Sequence, residues 1–279
     1  MTINPAEALQ PGAEPFESPV PGNGAADRPE ARVGVLLCHG FTGSPQSMRP
    51  WAEHLTAAGF RVSLPRLPGH GLADWRPMQD TTWQDWYAEV GKAFARLLES
   101  CDEVFVTGLS MGGALALRLA EQHGPDVRGL VLVNPSVKRN APREALIPVA
   151  ARVLPSLPGI GSDVRKEGVA EVGYDVVPLK AALSLTRLWK TVQHDLGEVN
   201  CPVLLYRSAR DHVVHRSSSE LVLARISSED KAEVLLPDSY HVATLDNDAP
   251  TIFEGSEGFV RRLSRVPGVA EGTQAGARR

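Results

Sequence analysis

A serine with glycine two residues away on either side, Gly108-Leu109-Ser110-Met111-Gly112, stands between two contrasting runs. Before it lies the apolar stretch Val104-Phe105-Val106-Thr107, and after it the helix formers Ala114-Leu115-Ala116-Leu117-Arg118-Leu119-Ala120. A serine placed between a strand and a helix occupies a strained turn that lifts its hydroxyl clear of the sheet. Helical N–H groups begin beside it, and the glycines leave room for the tight crossing. The pentapeptide alone is a weak signal; its flanks make it specific.

A serine hydroxyl is a poor nucleophile at neutral pH and needs a base oriented by a third group. Asp211 follows the apolar run Pro202–Tyr206, and His241 follows the run Ala232–Leu236, 30 residues further on. If these runs are parallel strands, Ser110, Asp211 and His241 share one edge of the sheet, in the order expected of a nucleophile, an acid and a base. The chemistry would be acyl transfer. The other histidines are assigned structural or solvated roles. His212 adjoins Asp211 on one loop, His54 and His123 fall on expected helices, and His39, His70, His194 and His215 lie at turns or helix ends. Asp238, Asp246 and Asp248 lie too close to His241 in sequence and follow no strand of their own.

A tetrahedral intermediate also needs backbone N–H groups for its oxyanion. Met111, directly after the nucleophile, supplies one. The loop His39-Gly40-Phe41-Thr42-Gly43 supplies the other, with the Phe41 N–H as candidate because Gly40 lets the backbone turn inward. Val213, Val242 and Trp189 are taken as apolar lining of a substrate pocket.

These residues need a scaffold. Val33–Cys38 is a continuous apolar run, as expected for a parallel strand covered on both faces. Ser44-Pro45 opens a helix to about Ala58, with the serine as cap and proline at the first helical position. Arg61–Leu64 is the next strand, and Trp83–Leu98 is apolar at helical spacing. Glu103–Thr107 and Gly129–Val133 are strands, with helices near Ser217–Ile226 and Ala249–Leu263. At least six strands alternate with helices, which predicts an open parallel sheet covered on both faces. The segment 138–198 is far longer than a crossover needs and carries many leucines, valines and prolines. It reads as a cap over the strand ends, closing with a helix near Leu179–Thr191. Residues 1–30, with six prolines, read as mostly irregular, with one short strand around Glu14–Ser18. The tail from Pro267 reads as frayed.

The chain has 279 residues, 22% charged and 43% hydrophobic, with a net charge of −4. That balance gives no reason to expect nucleic acid or an anionic membrane as partner. Three cysteines without paired spacing argue against a disulfide framework or a zinc site and fit a reducing compartment. No basic start with an apolar run suggests a signal peptide, and no run spans a bilayer. The expectation is a cytoplasmic protein without integral membrane association; nothing in the sequence speaks to its oligomeric state.

With Leu-Cys-His39-Gly-Phe-Thr-Gly, Gly-Leu-Ser110-Met-Gly-Gly, Ala-Arg-Asp211-His and Ser-Tyr-His241-Val-Ala-Thr-Leu-Asp in this order, the chain resembles bacterial carboxylesterases of the α/β-hydrolase superfamily. The likeness is strongest to the small-capped type related to monoacylglycerol lipases and covers roughly residues 32–264. It implies an α/β-hydrolase fold, a mostly parallel doubly wound sheet with a small helical cap after the sixth strand. It also implies hydrolysis of carboxylic esters through an acyl-serine and without a metal or organic cofactor; the apolar segment 138–198, which has no basic cluster, adds the expectation of uncharged short- to medium-chain esters, monoacylglycerols among them. Ser110, Asp211 and His241 would form the triad, with Phe41 and Met111 at the oxyanion. Thr82-Trp83-Gln84-Asp85-Trp86 is similar to a family element, although packing also explains its tryptophans. A thioesterase or a carbon–carbon bond hydrolase would use the same triad, and a binding protein of this fold could retain it. Relatives with dehalogenase or epoxide-hydrolase chemistry carry an aspartate where Ser110 stands.

Overall fold

The computed structural model describes residues 8–19, 29–138, 147–267 and 269. Seven strands form the main sheet: β1 (Phe16–Glu17), β2 (Val33–Cys38), β3 (Arg61–Leu64), β4 (Glu103–Leu109), β5 (Val127–Val133), β8 (Val203–Ser208) and β9 (Lys231–Leu236). Their spatial order is β1-β3-β2-β4-β5-β8-β9. Every pairing is parallel except β1 with β3, where Phe16 lies opposite Leu64. β2 is buried along its whole length, so its unbroken apolar run reflects cover on both faces.

Alternation along the strands divides the interior into two cores. Leu36, Val106, Leu130 and Leu132 face one side, with side chains of α2 (Trp83–Leu98), α3 (Met111–His123) and α5 (Leu179–Asp195). Val35, Leu37, Phe105, Val131 and Val133 face the other, with α1 (Arg49–Ala57) and α7 (Ala249–Leu263). α6 (Ser217–Arg225) adds Val222 to the first core. α2 opens at Thr82, whose N–H and hydroxyl both reach the Asp85 carboxylate, at 2.8 and 2.7 Å. Trp86 is fully buried and donates its indole N–H to Thr81 at 3.0 Å. Packing and capping thus account for the Thr82–Trp86 element.

Three expectations need correction. Among the described residues the insertion follows the fifth strand of the main sheet, β5 being the last before residue 138, where the sixth was expected. It is also less helical than expected: it carries α4 (Ile147–Ala150) and an antiparallel ribbon of β6 (Ser156–Pro158) with β7 (Val176–Pro178). Pro148, Pro155 and Pro158 withhold the backbone donors that longer helices require. Its last helix, α5, packs Ala181, Leu185, Leu188 and Val192 into the first core, and so serves as the crossover helix between β5 and β8. Among the described residues before α5, Tyr174 and Val176 pack on the first core and Val164 on the second.

Ser44 stands at the N-cap position with Pro45 first in the helical stretch, as expected, but its side chain makes no capping bond. A 3-10 turn, Pro45–Met48, precedes α1, and the Ser44 hydroxyl donates to the Val172 carbonyl at 2.7 Å, tying this loop to the insertion. Residues 8–18 are largely irregular, and the one short strand, β1, falls inside the expected Glu14–Ser18. Beyond β1, Gln10 N–H donates to Gly71 O at 2.9 Å, Ala73 N–H to Ala8 O at 2.8 Å, and Ala13 is fully buried. Proline blocks helix but not such single backbone contacts. Residues 1–7 and 20–28, and nearly all of the tail, lie outside the described residues.

Candidate active site

β2, β4, β8 and β9 are parallel, so the loops leaving their carboxyl ends gather at one edge. Open α/β sheets bind ligands there. Ser110 follows β4 directly at φ 57° and ψ −117°, a conformation costly for a residue with a side chain. Its N–H donates to Val133 O, and its own carbonyl accepts from Gly113 and Ser136 N–H, each at 3.0 Å. The turn is therefore held by α3 and by the chain leaving β5. The crossing is tight: a Cβ on Gly112 would collide with the Cys38 carbonyl, and one on Gly108 with the Gly112 backbone.

Asp211 and His241 meet. His241 Nδ1 lies 2.8 Å from Asp211 Oδ2, and both side chains are almost fully buried. The other Asp211 oxygen accepts the Val213 and Val214 N–H groups at 2.8 and 2.7 Å. Burial works against the Asp211 anion, but His241 and these two N–H donors outweigh it and hold the carboxyl below its ordinary value. Burial also works against a charged His241, yet Asp211, then Glu171 and Asp163, prevail and raise its pKa above 6.5. Imidazole Nδ1–H to carboxylate is the arrangement that leaves Nε2 to take a proton.

The loop 39–43 runs beside the serine: a Cβ on Gly40 would stand 3.6 Å from Ser110 Cβ. Leu67 N–H donates to His39 Nε2 at 3.1 Å, which leaves Nδ1 to donate to Gly40 O at 3.0 Å. Burial and the neighbouring His70 hold His39 well below 6.5, so it is a neutral, doubly bonded ring that fixes the loop. The Phe41 ring packs edge-on against His70 and Trp86. Met111 is the first residue of α3, so its N–H is one of those a helix start leaves without an intrahelical partner.

Of the expected pocket residues, Trp189 is buried in the first core and Val242 in the second, which ties both to packing on opposite faces of the sheet. Val213 is half-buried and its N–H is engaged with Asp211. His212 pairs with Asp163, not Asp211. Asp246 and Asp248 accept loop N–H groups, including those of Tyr240 and Asp238.

Sequence reasoning missed three residues. Asn134, fully buried at φ 45°, donates from Nδ2 to His241 O at 2.8 Å and Ser208 Oγ at 2.9 Å, and its Oδ1 accepts Ser208 N–H at 2.8 Å. It joins the ends of β5 and β8 to the His241 loop. A polar residue closing an apolar strand at this edge was the available signal. Glu171, half-buried on the insertion, places its carboxylate where a Cβ on Gly43 would be. Burial raises its pKa to about 7 against the opposing pull of His241 and Ser47. Asp163 contacts the backbone of His241. No local pattern marks the last two, whose partners are far away in sequence.

An elbow serine, a buried His–Asp couple at the same edge and a parallel sheet define the α/β-hydrolase architecture. The chain belongs to the Hydrolase_4 family, serine aminopeptidase S33, whose model matches residues 29–248. It is 44% identical over 249 residues to a thermostable monoacylglycerol lipase of Bacillus sp. (strain H-257), covering 89% of this chain and 94% of that protein. It is 24% identical over 232 residues to a carboxylesterase of Bacillus subtilis (strain 168), covering 82% and 92%. A solved structure from work on two metagenome-derived lipolytic enzymes, LipS and LipT, superposes with a TM-score of 0.84 at 41% identity, covering 91% of this chain and 99% of that one.

Proposed function

We propose that this chain hydrolyses carboxylic esters, monoacylglycerols foremost, through an acyl-Ser110 intermediate. The observation that carries the reading is the buried His241–Asp211 couple at the edge where the Ser110 turn stands. His241 Nε2 takes the Ser110 proton as Oγ attacks the ester carbonyl, while Asp211 holds the Nδ1–H. The Phe41 and Met111 N–H groups receive the oxyanion. On collapse, His241 returns the proton to the departing alcohol. Water then attacks the acyl-serine by the same route and releases the acid. The reaction calls on no metal or organic cofactor.

Glu171 favours a polyol ester over a simple one. Its carboxylate lies against the 39–43 loop and interacts electrostatically with His241, the residue that protonates the alcohol. It can accept hydrogen bonds from the free hydroxyls of a glycerol head, which a plain alkyl alcohol lacks. Phe41 and Met111, apolar side chains beside the nucleophile, favour uncharged acyl chains, with kcat/KM rising over the first several carbons before falling. The three cysteines without disulfides support a reducing, cytoplasmic setting.

The test compares a monoacylglycerol with the ethyl ester and the acyl-CoA of the same acid. The monoacylglycerol should be preferred, and above the Glu171 pKa of about 7, where that carboxylate is ionised, Glu171→Gln should lower its kcat/KM by about 10-fold, the scale of one hydrogen bond to a charged acceptor, while changing the ethyl ester far less. A fluorophosphonate should label the wild type and not Ser110→Ala. Labelling that survives that substitution, or a preference for the thioester, would refute the reading.

A further inference from the structure

Three carboxylates favour the charged His241 imidazole electrostatically: Asp211 from the loop after β8, which is hydrogen-bonded to the ring, and Glu171 and Asp163 from the insertion. Asp163 is distinctive because it grips backbone. Its side chain is 9% exposed. Oδ2 accepts the His241 N–H at 3.1 Å and the His212 N–H at 3.2 Å. Oδ1 lies 2.8 Å from His212 Nδ1, and the His212 ring stands edge-on to Tyr240. The Asp163 carbonyl accepts the Val242 N–H at 3.1 Å.

The next turn of the same strap is secured from the other side. The Asp246 carboxylate accepts the Arg165 and Lys166 N–H groups at 2.7 and 2.9 Å, and also the Tyr240 N–H at 2.9 Å. The Arg165 side chain pairs with Asp238 at 2.5 Å. Three consecutive N–H groups, those of Tyr240, His241 and Val242, therefore bond either to the strap or to the carboxylate that anchors it. The loops carrying His241 and Asp211 leave neighbouring strands whose ladder runs to Ser208 and Leu236, but both residues lie beyond that last pair, where the ladder no longer sets their spacing. One carboxylate spans both.

We propose that Asp163 is a positioning residue for the His241–Asp211 couple: through it the insertion sets the spacing of the two catalytic loops and adds negative charge beside His241. This rests on the reading of His241 as general base. It makes the insertion part of the machinery that orients the base, in addition to any contact it makes with substrate. The negative charge also favours protonated His241, in the same sense as Asp211 and Glu171 and against burial.

Two substitutions separate geometry from charge. Asp163→Ala leaves the His241 and His212 N–H groups without their acceptor. Asp163→Asn can keep every bond: its amide oxygen accepts both N–H groups, and its NH2 faces His212 Nδ1, which then acts as acceptor. Wild-type ester turnover that is lost in Ser110→Ala first establishes the underlying reading. Asp163→Ala should then lower kcat by about 10²-fold, the scale for misplacing a catalytic group by an ångström, with little change in KM. Asp163→Asn should recover most of that loss while its acid limb in kcat/KM against pH moves to lower pH. The His241 ring, titrated by NMR, should shift the same way, and that readout stands whether or not an ester is the substrate. An Asp163→Ala enzyme with wild-type kcat, or an Asp163→Asn protein with the wild-type acid limb and ring titration, overturns the proposal. If the alanine variant does not fold, the titration of the asparagine variant decides alone.

Discussion

A buried imidazole held above its ordinary pKa sets the pH behaviour of this site. His241 must be neutral to act as a base, so kcat/KM should fall as pH drops through a value above 6.5. A pH–rate profile with its acid limb below that value would contradict the charge arrangement described here. The raised pKa also means that protonation of His241 favours the folded state. Its contribution to stability is fully present below pH 6.5 and is lost as pH rises through the folded value. Asp211 has the opposite sign: its contribution is present above pH 3.8 and is lost as pH falls through its lower folded value. Asp211→Asn keeps the shape of the side chain but removes the acceptor that holds the Nδ1–H tautomer. It should lower kcat on the order of 10⁴-fold with an unchanged circular dichroism spectrum. Near-normal turnover would move the acid role elsewhere. Asn134 can be tested by stability: Asn134→Ala leaves Ser208 N–H and His241 O without their partner and should cost about 1–3 kcal/mol in urea unfolding.

Among the elements, the strand–turn–helix around Ser110 is the most constrained. Its geometry depends on close approach between backbones, with Gly112 against the Cys38 carbonyl at the end of β2. Gly112→Ala must push β2 and α3 apart, because a carbonyl in a paired strand cannot move aside as a flexible side chain would. It should cost at least the ~1–3 kcal/mol of an overpacked core and abolish fluorophosphonate labelling even where folded protein is recovered. A variant that labels at the wild-type rate would show that the crossing has slack. Long elements were legible in the sequence for simple reasons. α2 has a sustained helical period and an N-terminal Thr–Asp cap, β2 is an unbroken apolar run, and β4 and β5 carry the apolar runs Val104–Val106 and Leu130–Val133. Short elements were not. Ser44-Pro45 has the residues of a helix start, but the serine hydroxyl found a carbonyl 128 positions away, a partner that local pattern does not reveal.

For the molecule as a whole, the sheet and the insertion are held together by different means. The sheet is sealed between two apolar cores. The part of the insertion up to β7 exposes Val149, Val153, Leu154, Leu157 and Ile160, with Val153 at 79%. It attaches through polar contacts, namely Asp163, Asp246, Ser44 with Val172, and Tyr174 N–H with Thr42 O at 2.9 Å, and through a small apolar set, Tyr174 and Val176 on the first core and Val164 on the second. Polar attachments with little apolar burial open at lower free energy than a core. Amide hydrogen exchange should therefore be faster in the β6–β7 ribbon than in β4 and β5, with the strap at Asp163–Lys166 between them. Equal protection across all three would mean that the insertion and the sheet unfold as one unit.

Ser110, Asp211, His241, Phe41 and Met111 could be singled out from the chain alone because each sits one short step beyond an apolar run. Parallel strands carry every such step to the same edge. That inference needs only local periodicity and the direction of the strands. The placement of Asp163, Glu171 and Asn134 needed the tertiary structure, because what matters about them is contact with residues far along the chain: Asp163 with the His241 N–H, Glu171 with the space above Gly43, Asn134 with the ends of two strands. A carboxylate on an irregular, proline-rich insertion has no period to announce which way it faces. Its partner is chosen when the insertion folds back over the sheet, and only there does a side chain 78 residues from His241 come to hold its backbone.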